Sequence, residues 1–385
     1  MKKIWPFSFN FILYAGIATM APFIVLYYQS LGFTGTQIGL LTGITPLINF
    51  FSATLWTGFA DVTRRHRLLM SLALLGASIG LFLFPLLSAF APVLLIAIFF
   101  SVFWAPVTPF ADSATMFMLT DQKEMYSRVR LGATLGFGLA APIAGALVQN
   151  HGLRFAFWGC TIMFLLGLVV SQKLVYGQSQ SDRPTRGRIR ALMSNPQWLL
   201  FLVVAFAGGL GMAGYNNYLF PYMKELGANE STMGFALLVG MVSEIPALFF
   251  GNRLIRILKP YGLLMLSMAV TGLRMVLFAA SGTPNLILAF QLLNGLTFPT
   301  MWVAGVSYAD ENAPEGMSAT VQGLFSAMVL GFGTAVGGLT GGLLLGSMGG
   351  RGLYLIFGII VLIIVAMVAL IQRRLLPEQT LSAGG

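Results

Sequence analysis

Two residues of opposite charge, Asp112 and Arg130, lie inside apolar stretches of the chain, at 108–119 and 126–138. Each is nine residues from Asp121, which lies in the short polar turn between the stretches. Because a helix rises about 1.5 Å per residue, both charges would lie roughly 13 Å from the turn, at a similar depth. A charge inside a membrane is costly unless it is paired or hydrated, so it usually marks a pathway. The alternative is that both residues lie at the membrane interface, with the Arg130 side chain extending towards water.

Two further charges, Glu244 and Arg274, interrupt apolar runs later in the chain. Glu244 lies two helical turns before Asn252, and Arg274 has mostly apolar neighbours on both sides. We interpret this second acid and base as part of the same pathway. A purely structural ion pair between neighbouring helices is the alternative.

The elements that carry these charges are those of a membrane protein. The chain of 385 residues is 57% hydrophobic and 9% charged, whereas soluble proteins average about 25% charged residues. The net charge of +10 therefore reflects membrane topology and not nucleic-acid binding. The single cysteine, Cys160, excludes a disulfide framework and a thiolate metal site. No catalytic triad or cofactor loop occurs, so we expect a protein that is not an enzyme and binds no cofactor or metal.

Apolar runs of about 20 residues recur along the chain and predict an all-α membrane protein with twelve transmembrane helices. A basic segment, 175–196, divides them into two sets of six and is predicted to be a flexible cytoplasmic linker. The expected domains are 1–174 and 197–385, the second ending in a short cytoplasmic tail. The helices are expected near 8–29, 36–60, 67–88, 92–118, 127–149, 153–174, 197–223, 231–252, 261–281, 285–309, 318–346 and 351–372.

The basic residues predict the orientation of these helices. Of the 22 Lys and Arg residues, Arg154, Lys224 and Arg351 lie on one face, Arg274 lies within a helix, and the remaining 18 lie on the other face. By the positive-inside rule, both termini are cytoplasmic. We expect a multi-pass protein of the inner or plasma membrane.

The two sets of helices repeat each other at offsets of 195 to 198 residues, as LGFTGTQIG at 31–39 and LGANESTMG at 226–234 illustrate. The equivalent pairs that concern the pathway are Trp104 with Trp302, Asp112 with Asp310, Arg130 with Phe325, Asn49 with Glu244, and Ile79 with Arg274. Two six-helix halves around a central path are typical of secondary transporters. Since Arg130, Glu244 and Arg274 are not repeated, we expect them to serve an asymmetric task.

The repeat and the basic central loop resemble the major facilitator superfamily, and so does the loop after the second helix. That loop reads TGFADVTRRHR at 57–67, where Asp61 and Arg65 match the acidic and later basic positions of the superfamily signature. The departures from the signature are Thr57, Val62 and Arg64. The resemblance implies alternating access and a gating role for Asp61 and Arg65. Arginines that only set the topology are the alternative.

Within the superfamily, the chain resembles the oligosaccharide:proton symporters, the group of the lactose permease, and more closely the phenylpropionate permease-like group. The segments that carry this resemblance are PFAD at 109–112, YSRVRLGATLGFG at 126–138, SEIPALFFGNRLIR at 243–256 and TGLRMVLF at 271–278. The resemblance implies that Asp112 and Arg130 contact the substrate. It also implies that Glu244 and Arg274 serve substrate binding or proton coupling.

The predicted tenth helix departs from the lactose permease group. Asn294 and Thr297 occupy the positions of a histidine and a glutamate in that group, and neither residue titrates near neutral pH. If protons are coupled, Glu244 or Asp112 must carry them. Burial favours a protonated carboxyl and a nearby arginine an ionised one, so movement of the arginine would load and release a proton.

Weaker candidates for substrate binding lie in the seventh, fourth and tenth helices. Asn216 and Asn217 are consecutive polar residues in a span, which suggests an unwound or cavity-facing segment. Trp104 and Trp302 are placed symmetrically by the repeat. For both tryptophans, ordinary packing is the alternative.

These observations predict a secondary active transporter that imports a small organic solute, an aromatic acid or a sugar-like compound, together with protons. An exporter or antiporter of amphiphilic compounds is one alternative, and a membrane sensor without transport activity is another. The expected partners are the solute, protons and the lipid bilayer, without nucleic acid, and the protein is expected to be a monomer.

Overall fold

The computed structural model describes residues 4–119, 126–177, 192–314 and 318–382. Within these ranges the chain forms a bundle of twelve helices, numbered here in chain order. In the first set these are α1 Ile4–Ser30, α2 Gly35–Thr63, α3 His66–Leu86, α4 Phe90–Leu119, α5 Tyr126–His151 and α6 Arg154–Ser171. In the second set these are α7 Pro196–Glu225, α8 230–258, α9 260–280, α10 Pro284–Glu311, α11 318–348 and α12 350–382.

Two helix boundaries depend on single residues with non-helical backbone. Lys259, with φ 58° and ψ 160°, separates α8 from α9. Gly349, with φ 69° and ψ −179°, separates α11 from α12. The described residues contain ten continuous helical stretches that are long and apolar enough to cross a membrane. One of them, Thr320–Gln372, is divided at Gly349 and therefore counts as two helices. Together with Glu230–Phe249, which is not among the ten, this gives twelve helices.

The backbone repeats itself as the sequence does. In the described residues, the positions with positive φ form three pairs at offsets of 195 to 197: Gly32 with Gly227, Arg64 with Lys259, and Gly152 with Gly349. Each pair lies at a turn between equivalent helices. Few residues other than glycine adopt positive φ, so coincidence does not explain the pairing. The six-helix repeat predicted from the sequence is confirmed.

Glycines join the two sets of helices along two seams. In the first, a Cβ added to Gly39 of α2 would lie 2.5 Å from the Leu339 carbonyl oxygen of α11. In the second, a Cβ added to Gly234 of α8 would lie 2.4 Å from the Ala141 carbonyl oxygen of α5. Such distances require glycine, which lets helix backbones approach closely in lipid.

With twelve helices, both chain ends lie on one face of the bundle, which we name the terminal face, and the opposite face is the distal face. Both seams lie in the distal halves of their helices. Thr42 Oγ1 lies 3.0 Å from the Tyr218 hydroxyl and donates to the Gly338 carbonyl at 3.0 Å, joining α2, α7 and α11 in their distal halves. Phe23 and Phe220 meet edge to face at 4.8 Å near the distal ends of α1 and α7.

The internal form of two helices differs from expectation. α7 is one continuous helix through Asn216 and Asn217, so of the two predicted alternatives, an unwound or a cavity-facing segment, the unwound one is wrong. The backbone amides stay bonded within the helix there. α10, expected as a helix near 285–309, is divided: a 3₁₀ segment, Gln291–Leu296, precedes Thr297, whose φ of −104° and ψ of −109° are not helical.

Candidate functional site

The first charged site joins α4 to α5. Arg130 Nη1 lies 3.8 Å from Asp112 Oδ2 and donates to the Tyr126 hydroxyl at 3.0 Å. The side chains of Arg130 and Asp112 are 47% and 34% exposed. The pairing of the two charges at one depth follows from their equal spacing, although Asp121 itself lies outside the described residues. Since the ion pair is loose and half exposed, Arg130 keeps donors that a solute can reach.

The position equivalent to Arg130 in the second set has a different character. Phe325 is fully buried and packs against Trp302 at 5.3 Å between ring centroids. Asp310, the equivalent of Asp112, is exposed and accepts from Gln322 Nε2 at 3.4 Å. Arg130 of the first charged site is therefore not repeated in the second set, because Phe325 stands at its position, whereas the acid Asp112 has a counterpart in Asp310.

The second charged site is a group of side chains from α7, α8, α9 and α10, which we name the arginine cluster. Its members are Tyr215, Glu244, Arg274, Gln291, Asn294 and Thr297. Arg274 Nη1 donates to Asn294 Oδ1 at 2.8 Å and to Thr297 Oγ1 at 3.2 Å, and Nη2 donates to Gln291 Oε1. The guanidinium lies 4.9 Å from the Tyr215 ring centroid and 5.0 Å from that of Phe278.

Arg274 is thus a buried cation held by neutral groups. It is 5% exposed, and Gln291 and Asn294 are 0% and 3% exposed. The aromatic faces of Tyr215 and Phe278 add attraction for the positive charge. Arg274 Nε and Gln291 Nε2 are buried without a hydrogen-bond partner. Both nitrogen atoms are donors. A hydrogen-bond acceptor placed between Arg274 and Gln291 would therefore satisfy them.

Glu244 reaches this cation through Asn294. Asn294 Nδ2 donates to Glu244 Oε1 at 2.7 Å, while its Oδ1 accepts from Arg274. Of the residues that the structure describes, Glu244 and Arg274 form no direct ion pair within 4.0 Å. Glu244 and Arg274 are therefore not joined as a direct ion pair, because the side-chain amide of Asn294 lies between the two charges.

Local backbone structure places Asn294 between its partners. Asn294 lies in the 3₁₀ segment of α10, and its carbonyl accepts from Thr297 Oγ1 at 2.6 Å. Ser243, next to Glu244, accepts from the Gly295 amide at 3.1 Å and donates to the Gln291 carbonyl at 3.2 Å. A broken helix is tolerated at membrane depth where neighbouring helices satisfy the freed backbone groups. Ser243 supplies that satisfaction from α8.

The loop after α2 pairs its acid with a histidine. Asp61 Oδ1 lies 3.3 Å from His66 Nε2, and the His66 ring stacks on Tyr176 at 5.6 Å. Arg65 is exposed at the start of α3. The loop has the helix–turn–helix form expected of a gate, and the gating role of Asp61 and Arg65 stays a prediction.

The weaker candidates are placed as follows. Asn216 is exposed and Asn217 is half-buried on α7. Trp104 stacks on Phe164 at 5.4 Å, and Trp302 contacts Phe298 at 5.7 Å. Both tryptophans therefore pack against aromatic neighbours, and their contact with substrate stays a prediction.

Sequence reasoning missed Gln291 and Tyr126. Gln291 precedes Asn294 by three residues and Thr297 by six, so all three share one face of α10. Tyr126 precedes Arg130 by four residues, the spacing that brings side chains together on a helix. Polar residues at these spacings inside or beside a span were the available signal.

Comparison with known proteins identifies the family. The model of the MFS_1 like family matches residues 5–356. The chain belongs to this family. It is 25% identical over 357 residues to the uncharacterized transporter YwbF of Bacillus subtilis, covering 92% of this chain and 89% of the relative. It is 24% identical over 375 residues to a maltose permease of Geobacillus stearothermophilus, covering 97% and 95%.

One further relative and one solved structure are similar to this chain. The chain is 24% identical over 325 residues to a probable 3-phenylpropionic acid transporter of Escherichia coli, covering 82% of this chain and 84% of the relative. The crystal structure of the nucleoside transporter NupG superimposes with a TM-score of 0.83 at 15% identity, covering 96% of this chain and 98% of that one. This protein is therefore a multi-pass membrane transporter of the major facilitator superfamily and not an enzyme.

Proposed function

We propose that this family member is a proton-coupled importer of a small organic solute. The observation that carries the proposal is the bridge Glu244–Asn294–Arg274, with distances of 2.7 and 2.8 Å. Glu244 is a carboxyl that can take up a proton inside the membrane, and Arg274 is a charge whose balance depends on that proton. Intramembrane carboxyl groups in such surroundings commonly serve as proton relays.

The proposed solute is an aromatic acid or a sugar-like compound. The names of two relatives, a maltose permease and a probable 3-phenylpropionic acid transporter, support these two classes. Arg130 supports the acid, because its half-exposed guanidinium can donate two parallel hydrogen bonds to a carboxylate. Asp112, Asn216, Asn217, Trp104 and Trp302 complete the proposed substrate-binding residues.

The proposed cycle rocks the first half, 1–174, against the second half, 197–385, with 175–196 as the linker between them. The glycine seams support the view that the structure represents a state closed at the distal face. We assign the terminal face to the cytoplasm, because most basic residues lie there. The protein is proposed to act as a monomer in the inner or plasma membrane.

Transport by purified protein in proteoliposomes tests the proposal. We expect 3-phenylpropionic acid or maltose to accumulate when the outside is more acidic, and solute entry to be accompanied by proton entry. In Glu244→Gln the side chain cannot exchange a proton, so accumulation should fall at least about tenfold and become independent of pH. Glu311→Gln, an exposed acid at the end of α10, should behave like the parent protein.

Three results would contradict the proposal. Outward movement of solute against an inward proton gradient would favour an exporter or antiporter. Solute binding without counterflow would favour a sensor. Proton-driven accumulation that is unchanged in both Glu244→Gln and Asp112→Asn would exclude these carboxyls as proton carriers.

A further inference from the structure

The hydrogen bonds of Asn294 define a charge relay that contains no second titratable group. Its Oδ1 faces the cation Arg274 at 2.8 Å and its Nδ2 faces the acid Glu244 at 2.7 Å. The two partners are opposite in hydrogen-bonding character, so only one orientation of the amide satisfies both. The amide dipole is then aligned with both charges. Asn294 is itself 3% exposed and its bond to Arg274 is buried, whereas Glu244 is half-buried.

We propose that Asn294 is the positioning residue that transmits the protonation state of Glu244 to Arg274 and to the break in α10. This inference rests on the proposed proton coupling and names the residue that performs it. When Glu244 is ionised, the bond from Nδ2 is charge-assisted and strong. Protonation removes that charge, and Asn294 is then held mainly by Arg274. The Asn294 side chain is thus shared between Glu244 and Arg274 when Glu244 is ionised, and it is held mainly by Arg274 when Glu244 is protonated.

The backbone around Asn294 can convert this change into a movement. Asn294 lies in the 3₁₀ segment Gln291–Leu296, directly before the non-helical Thr297. A 3₁₀ stretch within a helix often marks a hinge. Thr297 donates both its hydroxyl and its amide to the Asn294 carbonyl, at 2.6 and 3.0 Å. A shift of Asn294 is therefore passed to the residue at which α10 changes direction.

The charged and titratable groups around the amide and its two partners come from four helices. α8 contributes Glu244, α9 contributes Arg274, and α7 contributes Tyr215, whose ring lies over the guanidinium. Tyr354 of α12 interacts with the same guanidinium, and its hydroxyl donates to the Gly214 carbonyl at 2.9 Å. Because Asn294 cannot titrate, the cluster holds one proton-exchanging carboxyl and one fixed cation. A single proton then changes the net charge of the cluster between zero and one.

The test compares pH-driven accumulation with counterflow in proteoliposomes. The probe is whichever of 3-phenylpropionic acid and maltose the parent protein transports. Asn294→Leu removes both bonds at similar size, and Asn294→Asp keeps the acceptor for Arg274 but removes the donor to Glu244. A hydrogen bond to a charged group is worth a factor of about 10 to 150. In both variants we expect accumulation to fall at least about tenfold more than counterflow. The pH profile should flatten in Asn294→Leu, and it should change its shape in Asn294→Asp, because the new carboxyl next to Glu244 also titrates.

The matched control is Ser267→Ala. Ser267 of α9 donates to Thr300 of α10 at 2.8 Å and to the Leu263 carbonyl at 2.8 Å, so its substitution removes a buried polar contact between the same two helices without changing a side chain that bonds to the cluster. It should keep the pH profile of the parent protein, and all variants are checked for a monodisperse detergent-solubilised peak.

The outcomes separate the two proposals. If the parent protein moves solute without protons, the proposed proton coupling fails and the relay fails with it. If the parent is proton-coupled but both Asn294 variants keep its pH profile, the relay alone is overturned. Loss of counterflow and accumulation in equal measure, in a variant that folds, also overturns it, because Asn294 would then serve binding and not coupling.

Discussion

At the scale of single residues, the two arginines differ in what remains open to a solute. Arg274 has both terminal nitrogens bonded to neutral side-chain oxygens and is buried. Arg130 has one hydrogen bond to Tyr126 and a loose contact with Asp112 at 3.8 Å. We therefore propose a division of labour, in which Arg130 would bind the solute and Arg274 would respond to the proton.

This difference predicts the effect of removing Arg130. In a thermal-shift assay with 3-phenylpropionic acid, the parent protein should be stabilised by ligand, and Arg130→Ala should bind about 10- to 150-fold more weakly because a charged hydrogen bond is lost. Arg154→Ala removes an exposed arginine at the start of α6 and serves as the control. Equal stabilisation of parent and Arg130→Ala at all ligand concentrations would remove Arg130 from the binding site.

At the scale of elements, helices of the two halves meet closely through their backbones at glycines, and Thr42 and Tyr218 add side-chain hydrogen bonds to the seam between α2 and α11. α2 and α11 approach so closely that a Cβ added to Gly342 would lie 2.3 Å from the Cα of Gly39. Close packing of small residues replaces the hydrophobic effect as the force that joins helices in lipid. The seam therefore stabilises the state that is closed at the distal face, and its strength depends on the absence of side chains.

A single added methyl group should weaken that state. Gly39→Ala places a Cβ 2.5 Å from the Leu339 carbonyl oxygen, so α2 and α11 must separate. Overpacking of about 1–3 kcal/mol would shift the equilibrium about 5- to 150-fold towards states with an open distal seam. Gly58→Ala, on the same helix, is the control because no atom lies within 4 Å of the added Cβ.

Distances between spin labels can measure the shift. Labels attached at Ser30→Cys and Ser347→Cys lie at exposed positions near the distal face, and Cys160→Ser provides a background without the native thiol. Gly39→Ala should lengthen the distances between these labels and slow counterflow, and Gly58→Ala should do neither. Identical distance distributions in the two variants would show that the seam does not govern opening.

At the scale of the whole molecule, the four charges of the two charged sites balance one another. Asp112 with Arg130 and Glu244 with Arg274 form two acid–base sets, one in each half. A solute anion that enters with one proton leaves this balance unchanged, whereas a neutral solute with one proton adds a positive charge. If the proposed proton coupling holds, we therefore expect an acid to be moved without net charge.

Electrical measurements distinguish these two cases. Moving one charge through about 100 mV is worth about 2.3 kcal/mol, or up to about 50-fold in accumulation. We expect accumulation of 3-phenylpropionic acid to respond to a pH gradient but to change little when a potassium diffusion potential is imposed. Maltose uptake, if it occurs with protons, should follow the potential. A strong response of the acid to the potential would mean that more than one proton accompanies it.

The sequence by itself determined the twelve helices, the repeat and the four intramembrane charges. Each of these properties is local or periodic: an apolar run long enough to span a bilayer forms a helix, and an embedded charge stands out within it. The pairing of Asp112 with Arg130 was accessible for the same reason, since both lie close to one turn. Family resemblance supplied the proposed roles.

Only the tertiary structure decided which side chains surround those charges. Asn294 is 20 residues from Arg274 and 50 from Glu244, and its place between them depends on how three helices pack and rotate. The break in α10 and the continuity of α7 were equally inaccessible, because neighbouring helices decide whether freed backbone groups are satisfied. The sequence showed that a histidine and a glutamate of related permeases are replaced, and the fold shows that their replacements hold the remaining acid and base together.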